Sequence, residues 1–125
     1  MIRTRSKGDP ATVLAFAMDL ARSCVDDKCT DVVLLDVRGL SQVSDYVLVA
    51  TGTSERQMKS VAQELEDVGK ERGQPPYRST RDLGTTWICV DFVDVVCHLF
   101  EPDQRAYYDI ESLWSEAKPV DFQRT

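Results

Sequence analysis

The chain has 125 residues, 42% of them hydrophobic, and a formal net charge of −6 at pH 7. This length suits one domain with a single core. The acidic charge argues against direct nucleic-acid binding, which requires a basic surface. No apolar run is long enough to span a membrane and no signal-peptide core is evident, so we expect a cytoplasmic protein.

The four cysteines have neither CxxC spacing nor the spacing of a four-ligand zinc site. We therefore expect reduced, buried thiols, as in cytosolic proteins. Residues 1–8 are basic and are predicted to be a flexible N-terminus. Residues 9–118 are predicted to form the domain, and residues 119–125 a loosely attached C-terminal tail.

The first predicted element is a helix that begins at Asp9 and Pro10. Asp9 is placed as an N-cap, and Pro10 is suited to the first helical position. Acidic side chains are unfavourable at a helix C-terminus, so the helix should end near Asp26 and Asp27. Apolar residues recur at helical spacing at Leu14, Ala17, Met18, Ala21 and Val25.

Two strands and a second helix come next. The apolar run Val32–Val37 is typical of a strand buried on both faces, and Asp45–Ala50 is predicted to be the next strand. Ser54 and Gln57 have the spacing of a capping box at the start of the second helix. Gly73, followed by two prolines, indicates its end.

The loop Thr51–Ser54 joins a strand to a helix N-terminus and contains a glycine, as phosphate-binding loops do. It lacks the P-loop lysine and the three-glycine dinucleotide fingerprint. No Asp-x-Asp pair is present to hold two catalytic metal ions. A nucleotide-binding or nucleotidyl-transferring enzyme that uses this loop is therefore the alternative hypothesis.

After a polar loop at 77–85, the sequence predicts a β-hairpin with strands at 87–91 and 94–100 and a turn at Phe92 and Val93. In that register Asp91 faces Asp94 and Trp87 faces His98. One face then carries core residues: Ile88, Val90, Val95, Cys97 and Leu99. The other carries Trp87, Cys89, Val96, His98 and Phe100, and ends in the two carboxylates.

This second hairpin face has two interpretations. A helix of the same chain covers it, as is usual in α/β proteins, or it binds a basic partner protein through its aromatic side chains and acids. Cys89 and His98 on this face could also form a thiolate–imidazole pair, but no third residue is evident to orient them. The chain then predicts a helical turn from Pro102 and a last helix capped by Asp109.

Three segments together resemble the ribosomal silencing factor family, also called RsfS or Iojap. They are LLDVRGLSQVSDYVLVATGTSERQ, W-x-x-x-D-x-x-D-V-V-x-H-x-F and R-A-Y-Y-D-I-E-S-L-W, within a match from about Leu14 to Trp114. The resemblance implies an α/β (α+β) fold, a mixed β-sheet flanked by helices, similar in outline to nucleotidyl transferases without their catalytic acids. It also implies a protein that is not an enzyme and has no cofactor or metal.

Members of the family bind the fourteenth large-subunit ribosomal protein and sterically block joining of the small subunit, which represses translation. The resemblance therefore implies the large ribosomal subunit as partner, with a homodimer as a further possibility. An assembly role for the large subunit, through the same surface, is an alternative.

Carried over by position, the docking tryptophan of the family is Trp87, the acids at the hairpin tip are Asp91 and Asp94, the exposed apolar tip residue is Phe92, and the histidine is His98. The chain departs from the family at Val93, where glycine is usual, and at Thr80-Arg81, where the family has Glu-Gly. The expected ribosomal-protein-binding residues are Trp87, Asp91, Phe92, Asp94, Val96, His98 and Phe100.

Overall fold

In the residues that the computed structural model describes, 9–80 and 86–123, six strands form one mixed sheet with helices on both faces. The expected flexible segment 1–8, Arg81 and the final two residues lie outside the described residues. The strands are β1 (Thr30–Asp36), β2 (Tyr46–Thr51), β3 (Arg78–Ser79), β4 (Trp87–Asp91), β5 (Val95–Phe100) and β6 (Lys118–Pro119). The helices are α1 (Pro10–Asp26), α2 (Glu55–Glu71), α3 (Pro102–Tyr108) and a 3₁₀ helix (Ile110–Trp114).

The strand order across the sheet is β3-β4-β5-β2-β1-β6. β2 and β5 run parallel, whereas β1–β2 and β4–β5 are antiparallel pairs. A parallel pair requires a long crossover connection, and α2 lies within the one that leads from β2 to the β4–β5 hairpin. The predicted α/β (α+β) fold, a mixed sheet flanked by helices, is confirmed. No helix within the described ranges is both long enough and apolar enough to cross a membrane.

Helix α1 begins as its sequence predicts. The carboxylate of Asp9 accepts a hydrogen bond from the backbone N–H of Thr12 at 3.0 Å, which caps the helix, and Pro10 is its first residue. The helix packs on the sheet together with α2. Its buried stripe is rotated from the predicted one, because Val25 is 48% exposed and Cys24 is fully buried.

Helix α2 is also capped as predicted, with the hydroxyl of Ser54 accepting from the N–H of Gln57 at 3.1 Å. The side chain of Gln57 does not close a capping box on Ser54. Its Oε1 accepts instead from the N–H of Thr53 at 3.1 Å.

The predicted hairpin register is wrong by two residues. Trp87 pairs with Phe100, Cys89 with His98, and Asp91 with Val96, so the expected pairing of the two tip acids does not occur. Phe92 directly follows β4, and its N–H donates to the carbonyl of Val95 at 2.9 Å. Because the shift is an even number of residues, each side chain stays on its predicted face.

Burial of Phe92 explains the observed register. Phe92 lies on the same face as Ile88 and Val90, is 6% exposed, and packs edge-on against Phe16 of α1 with the ring centroids 5.2 Å apart. Gly69 of α2 makes room for this ring, since a Cβ there would lie 2.6 Å from its Cε1 atom. A turn at Phe92 and Val93 would have removed this aromatic side chain from the core.

The C-terminal segment is attached more firmly than the sequence predicts. Strand β6 pairs with β1 at the sheet edge, and the N–H of Val120 donates to the carbonyl of Leu34 at 2.7 Å. The guanidinium of Arg22 donates to the carbonyl of Phe122 at 2.6 Å. Residues 118–122 therefore belong to the folded sheet and its edge.

Candidate functional site

The sheet has two unlike faces. The inner face packs against α1 and α2 and forms the larger hydrophobic core. The outer face carries Trp87, Cys89 and Asp91 on β4 and their neighbours on β5. A smaller cluster lies on it, to which Ile110 and Trp114 of the 3₁₀ helix contribute. The residues of β5 on this face are Val96, His98 and Phe100.

Trp87 and His98 form a direct pair on the outer face. The indole Nε1–H of Trp87 donates to Nδ1 of His98 at 3.1 Å, and the ring centroids are 5.9 Å apart. Burial lowers the pKa of His98 to about 4, although the nearby charge of Asp91 raises it slightly. The imidazole is therefore neutral at pH 7, which leaves Nδ1 free to accept the indole proton.

An aromatic row continues from this pair toward solvent. Trp87 stacks on the fully buried Phe100 at 5.0 Å and contacts Tyr108 of α3 at 4.7 Å, measured between ring centroids. Tyr107 then packs edge-on against Tyr108 at 5.1 Å. Trp87 is half-buried, Tyr108 is 47% exposed and Tyr107 is 78% exposed. The row thus connects the sheet to an accessible aromatic surface.

Exposed apolar side chains concentrate on this side of the molecule. Among the described residues, six large apolar side chains are exposed, and four of them belong to segments that pack on or beside the outer face. Leu40 and Leu113 line a cavity of about 190 Å³ with Trp114. We call the combined surface the aromatic ledge; it consists of Leu40, Trp87, Tyr107, Tyr108 and Leu113.

The hairpin tip is bound to the rest of the chain and does not project from it. The carbonyl of Asp94 accepts from the N–H groups of Asp45 and Tyr46 at 2.8 and 3.1 Å. The hydroxyl of Ser44 donates to the carbonyl of Val93 at 2.8 Å. The side chains expected to be exposed here are therefore placed differently: Asp94 is 5% exposed and Phe92 lies in the core.

Asp91 is the tip acid that stays on the outer face, half-buried, where it accepts from the N–H of Val93 at 2.7 Å. Val93 has φ = +73°, and the N–H of Asp94 donates to the carbonyl of Phe92 at 3.0 Å. This combination is a γ-turn of the rare, positive-φ type. The sequence resemblance implied glycine at this position, which holds instead a β-branched residue in a strained conformation.

Comparison with known proteins decides the family. A family model described as "Ribosomal silencing factor during starvation" matches residues 10–125. The chain belongs to the ribosomal silencing factor family. The family predicted from the sequence resemblance is therefore confirmed.

Individual relatives agree with this assignment. The ribosomal silencing factor of Halalkalibacterium halodurans is 38% identical over 107 residues, which cover 85% of this chain and 92% of that protein. A crystal structure of a Chromobacterium violaceum protein is similar to this fold with a TM-score of 0.75 at 34% identity, covering 90% of this chain and 92% of that one. A mouse protein named mitochondrial assembly of ribosomal large subunit protein 1 is 28% identical over 104 residues, 80% of this chain and 46% of that protein.

The loop that suggested a nucleotide site is used internally in this ribosomal silencing factor family member. The N–H of Gly52 donates to the carbonyl of Phe100 at 2.8 Å, and that of Thr53 to the side chain of Gln57. A Cβ at position 52 would lie 2.2 Å from Cγ of Met58, so any other residue there would force this buried side chain to move. These two amides already have acceptors within the chain, so they are not available to bind a phosphate.

The Cys89–His98 pair is likewise poorly arranged for catalysis. The two residues are direct cross-strand partners, not the diagonal neighbours that the predicted register implied. However, Nδ1 of His98 is occupied by Trp87, and a histidine with a pKa near 4 is a weak general base at neutral pH. The pair is better described as part of the packed outer face.

Sequence reasoning missed the exposed residues of the aromatic ledge outside the hairpin. Tyr107 and Tyr108 lie in the quoted segment R-A-Y-Y-D-I-E-S-L-W, but the pattern did not indicate that they face solvent. The available signal was that the two tyrosines are adjacent, since neighbouring residues on a helix point in different directions and cannot both face the sheet. Leu40 gave no signal, because it lies in the loop between β1 and β2.

Proposed function

We propose that this protein is a cytoplasmic translation repressor without catalytic activity. It binds the large ribosomal subunit through the fourteenth large-subunit ribosomal protein and blocks joining of the small subunit. Membership of the ribosomal silencing factor family supports a ribosomal role. The observation that carries the proposed docking site is the aromatic ledge, a set of accessible aromatic and apolar side chains on the incompletely covered outer face.

The ledge has the properties of an interface anchor. Aromatic side chains contribute most to binding when they enter a pocket of the partner, and Tyr is enriched among such residues. Here Trp87 and Phe100 hold Tyr108 by ring contacts, and Tyr108 in turn holds Tyr107. Fixed side chains lose less conformational entropy on binding than mobile ones do. The buried members of the row thus contribute by orienting the exposed ones.

The acidic charge of the chain favours a basic partner protein. The chain carries a formal charge of −6, and Asp91 lies on the outer face beside Cys89 and Val96. An acidic surface attracts a basic ribosomal protein and raises the association rate, an effect that salt weakens. In this arrangement Asp91 directs the approach, while Tyr107 and Tyr108 provide the buried contacts. Phe92 and Asp94 act indirectly, by fixing the hairpin.

To block the small subunit, the protein needs only to bind tightly to the large subunit at the surface where the two subunits join. A standard protein interface buries about 800 Å² on each partner, which a ledge and its rim can supply. The rest of the domain then occupies the space that the small subunit needs when it joins. No chemical step is involved, so binding stoichiometry, and not turnover, sets the degree of repression.

Binding to purified large subunits tests the proposal. We expect Tyr107→Ala combined with Tyr108→Ala to weaken co-sedimentation with large subunits by about tenfold or more, as loss of interface anchors does. Val25→Ala is the matched control, because Val25 is an exposed apolar residue on α1, away from the outer face. The same variants should be compared in pull-downs with the isolated fourteenth large-subunit protein and in a subunit-joining assay.

The proposed role of the Asp91 charge in attracting the partner is tested separately with Asp91→Asn. This variant keeps an oxygen to accept from the N–H of Val93 but removes the charge. We expect weaker binding at low salt and a shallower dependence of affinity on salt. The docking site is wrong if the double tyrosine variant binds large subunits as tightly as Val25→Ala does. Binding that is lost without any effect on the isolated ribosomal protein would overturn the choice of partner.

Large-subunit assembly is the second candidate function, favoured by the name of the mouse relative. The same surface would serve both roles. The two differ in when the protein acts: an assembly factor is needed for subunits to mature, whereas a repressor acts on finished ones. Accumulation of immature large subunits in cells that lack the protein, under rich nutrients, would favour assembly.

A further inference from the structure

A pair of cysteines lies at the end of α1, on the inner side of the sheet. The helix ends with two backbone hydrogen bonds, from the N–H of Cys29 to the carbonyl of Cys24 at 2.9 Å and from the N–H of Lys28 to the carbonyl of Val25 at 3.1 Å. Lys28 has φ = +75°. These features define a Schellman motif, in which the helix ends through one left-handed residue.

The Schellman motif places two particular side chains in contact. They belong to the third residue before the C-cap and the second residue after it, which are usually apolar and pack on each other. With Asp27 as the C-cap, these positions are Cys24 and Cys29. Both are free thiols that belong to the same hydrophobic core cluster, and the motif brings their side chains together. The chain therefore has a dithiol where most helices of this type have an apolar contact.

The two thiols differ in access. Cys24 is fully buried, whereas Cys29 is 8% exposed and lines a cavity of about 360 Å³. Arg22, Val25 and Phe122 form other parts of the cavity wall. Cys29 is therefore the more accessible of the two residues.

Gln57 at the start of α2 holds a hydrogen-bond donor at the accessible sulfur. Its Nε2 donates to the carbonyl of Asp27 at 2.8 Å and to Sγ of Cys29 at 3.6 Å, while its Oε1 accepts from Thr53. The amide orientation is therefore fixed at both ends. Interaction with the Cys24 thiol, together with the hydrogen bond from Gln57, lowers the pKa of the Cys29 thiol, whereas interaction with Cys29 and burial raise the pKa of Cys24.

We propose that Cys24 and Cys29 form a peroxide-reactive dithiol site, with Cys29 as the attacking thiol and Cys24 as the resolving one. The thiolate of Cys29 attacks one oxygen of a hydroperoxide, the O–O bond breaks, and an alcohol or water leaves, so that Cys29 becomes a sulfenic acid. The sulfur of Cys24 then attacks that of Cys29, the S–O bond breaks, and water leaves with the Cys24 proton. Two thiols are oxidised by two electrons and the peroxide is reduced.

This site does not depend on the proposed ribosome docking. The dithiol lies among the side chains of the inner core, whereas the aromatic ledge is on the outer face. Cys89, the half-buried cysteine of the outer face, provides an internal comparison. If exposure alone determined reactivity, Cys89 would be oxidised first.

Peptide mapping of the intact protein tests the proposal. Trypsin cleaves after Arg22, Lys28 and Arg38, so Cys24 and Cys29 fall on separate peptides, 23–28 and 29–38. After treatment with hydrogen peroxide and alkylation without reductant, we expect these peptides to be joined by a disulfide in the monomeric protein, before Cys89 is oxidised. A dithiol reductant should separate them again.

Two variants check the assigned roles. Cys24→Ala should give no linked peptides and should leave a sulfenic acid on Cys29 that dimedone captures. Gln57→Leu should slow oxidation of Cys29 severalfold, because loss of this hydrogen bond raises the pKa of the thiol and lowers the thiolate population. Oxidation of Cys89 with peptides 23–28 and 29–38 left unlinked, or linkage only between two chains, would overturn the proposal.

Discussion

The two faces of the sheet differ in how completely the chain covers them. The inner face lies beneath two helices of 17 residues each, and its core includes Phe16, Leu48 and Leu99 at 0% exposure. The outer face is covered by α3 and a 3₁₀ helix of 7 and 5 residues, which contain no buried residue. A covering of that length leaves aromatic side chains accessible. The face that stabilises the fold and the face proposed to bind a partner are thus separate.

Among the variants that test this difference between the faces, Phe92→Ala should have the largest effect on stability. Phe92 was expected at an exposed tip but packs against Phe16 in the inner core. We expect the substitution to reduce the free energy of unfolding by about 3–5 kcal/mol, as for other buried aromatic residues. Chemical denaturation measures this change. A loss below about 0.5 kcal/mol, the usual effect at a surface position, would indicate that Phe92 is exposed at the hairpin tip and not buried in the core.

The second test is the pH dependence that the outer face imposes through His98, the single histidine of the chain. Its pKa is about 4 when folded, against about 6.5 when unfolded. Between these values the unfolded chain binds a proton that the folded one does not. Stability is therefore fully present above pH 6.5 and decreases as the pH falls, by about 3 kcal/mol at pH 4.

Carboxyl groups also titrate below about pH 5, so the slope between pH 5 and 6.5 is the informative part. His98→Gln provides the control, because its amide oxygen can still accept from Trp87 but does not titrate. We expect the variant to lose the slope in that interval. Equal slopes for both proteins would mean that His98 is not buried as a neutral group.

Val93→Gly should have a smaller and opposite effect. Val93 adopts φ = +73°, which is unfavourable for a β-branched residue and ordinary for glycine. We expect stabilisation of about 1 kcal/mol in thermal or chemical unfolding. Val96→Gly is the matched control, since Val96 lies in β5 without a positive φ, and glycine in a strand is destabilising. Destabilisation at both positions would contradict the strained turn.

The smallest stability effect is expected for Tyr107→Ala on the aromatic ledge. Tyr107 is 78% exposed and contacts Tyr108, so its loss should change the free energy of unfolding by no more than about 0.5 kcal/mol. Together with Phe92→Ala it separates the two faces: one variant is expected to destabilise the fold, and the other is proposed to affect only binding. A large loss of stability in Tyr107→Ala would indicate that Tyr107 is packed in the core, which would contradict an exposed aromatic ledge.

Much of the candidate site was predictable, but its tip was not. The alternation of β4 and β5 placed Trp87, His98 and Phe100 on one face, and that face was assigned as it is observed. Asp91 and Asp94 were predicted to be partners, yet Asp91 pairs with Val96 and Asp94 is buried. Two turns that differ by two residues preserve the same alternation, so the local pattern cannot choose between them.

Local interactions made the sequence sufficient for the caps of α1 and α2, the presence of four of the six strands and the separation of the two hairpin faces, whereas the mixed sheet was implied by the family resemblance. Capping and alternation involve residues only a few positions apart, so the amino acids alone determine them. Tertiary packing decided the hairpin register, because the ring of Phe92 fills a space between Phe16 and Gly69. It also decided that the C-terminal segment pairs with β1, and that short helices leave the aromatic ledge exposed. These outcomes depend on contacts between distant parts of the chain, which no local pattern records.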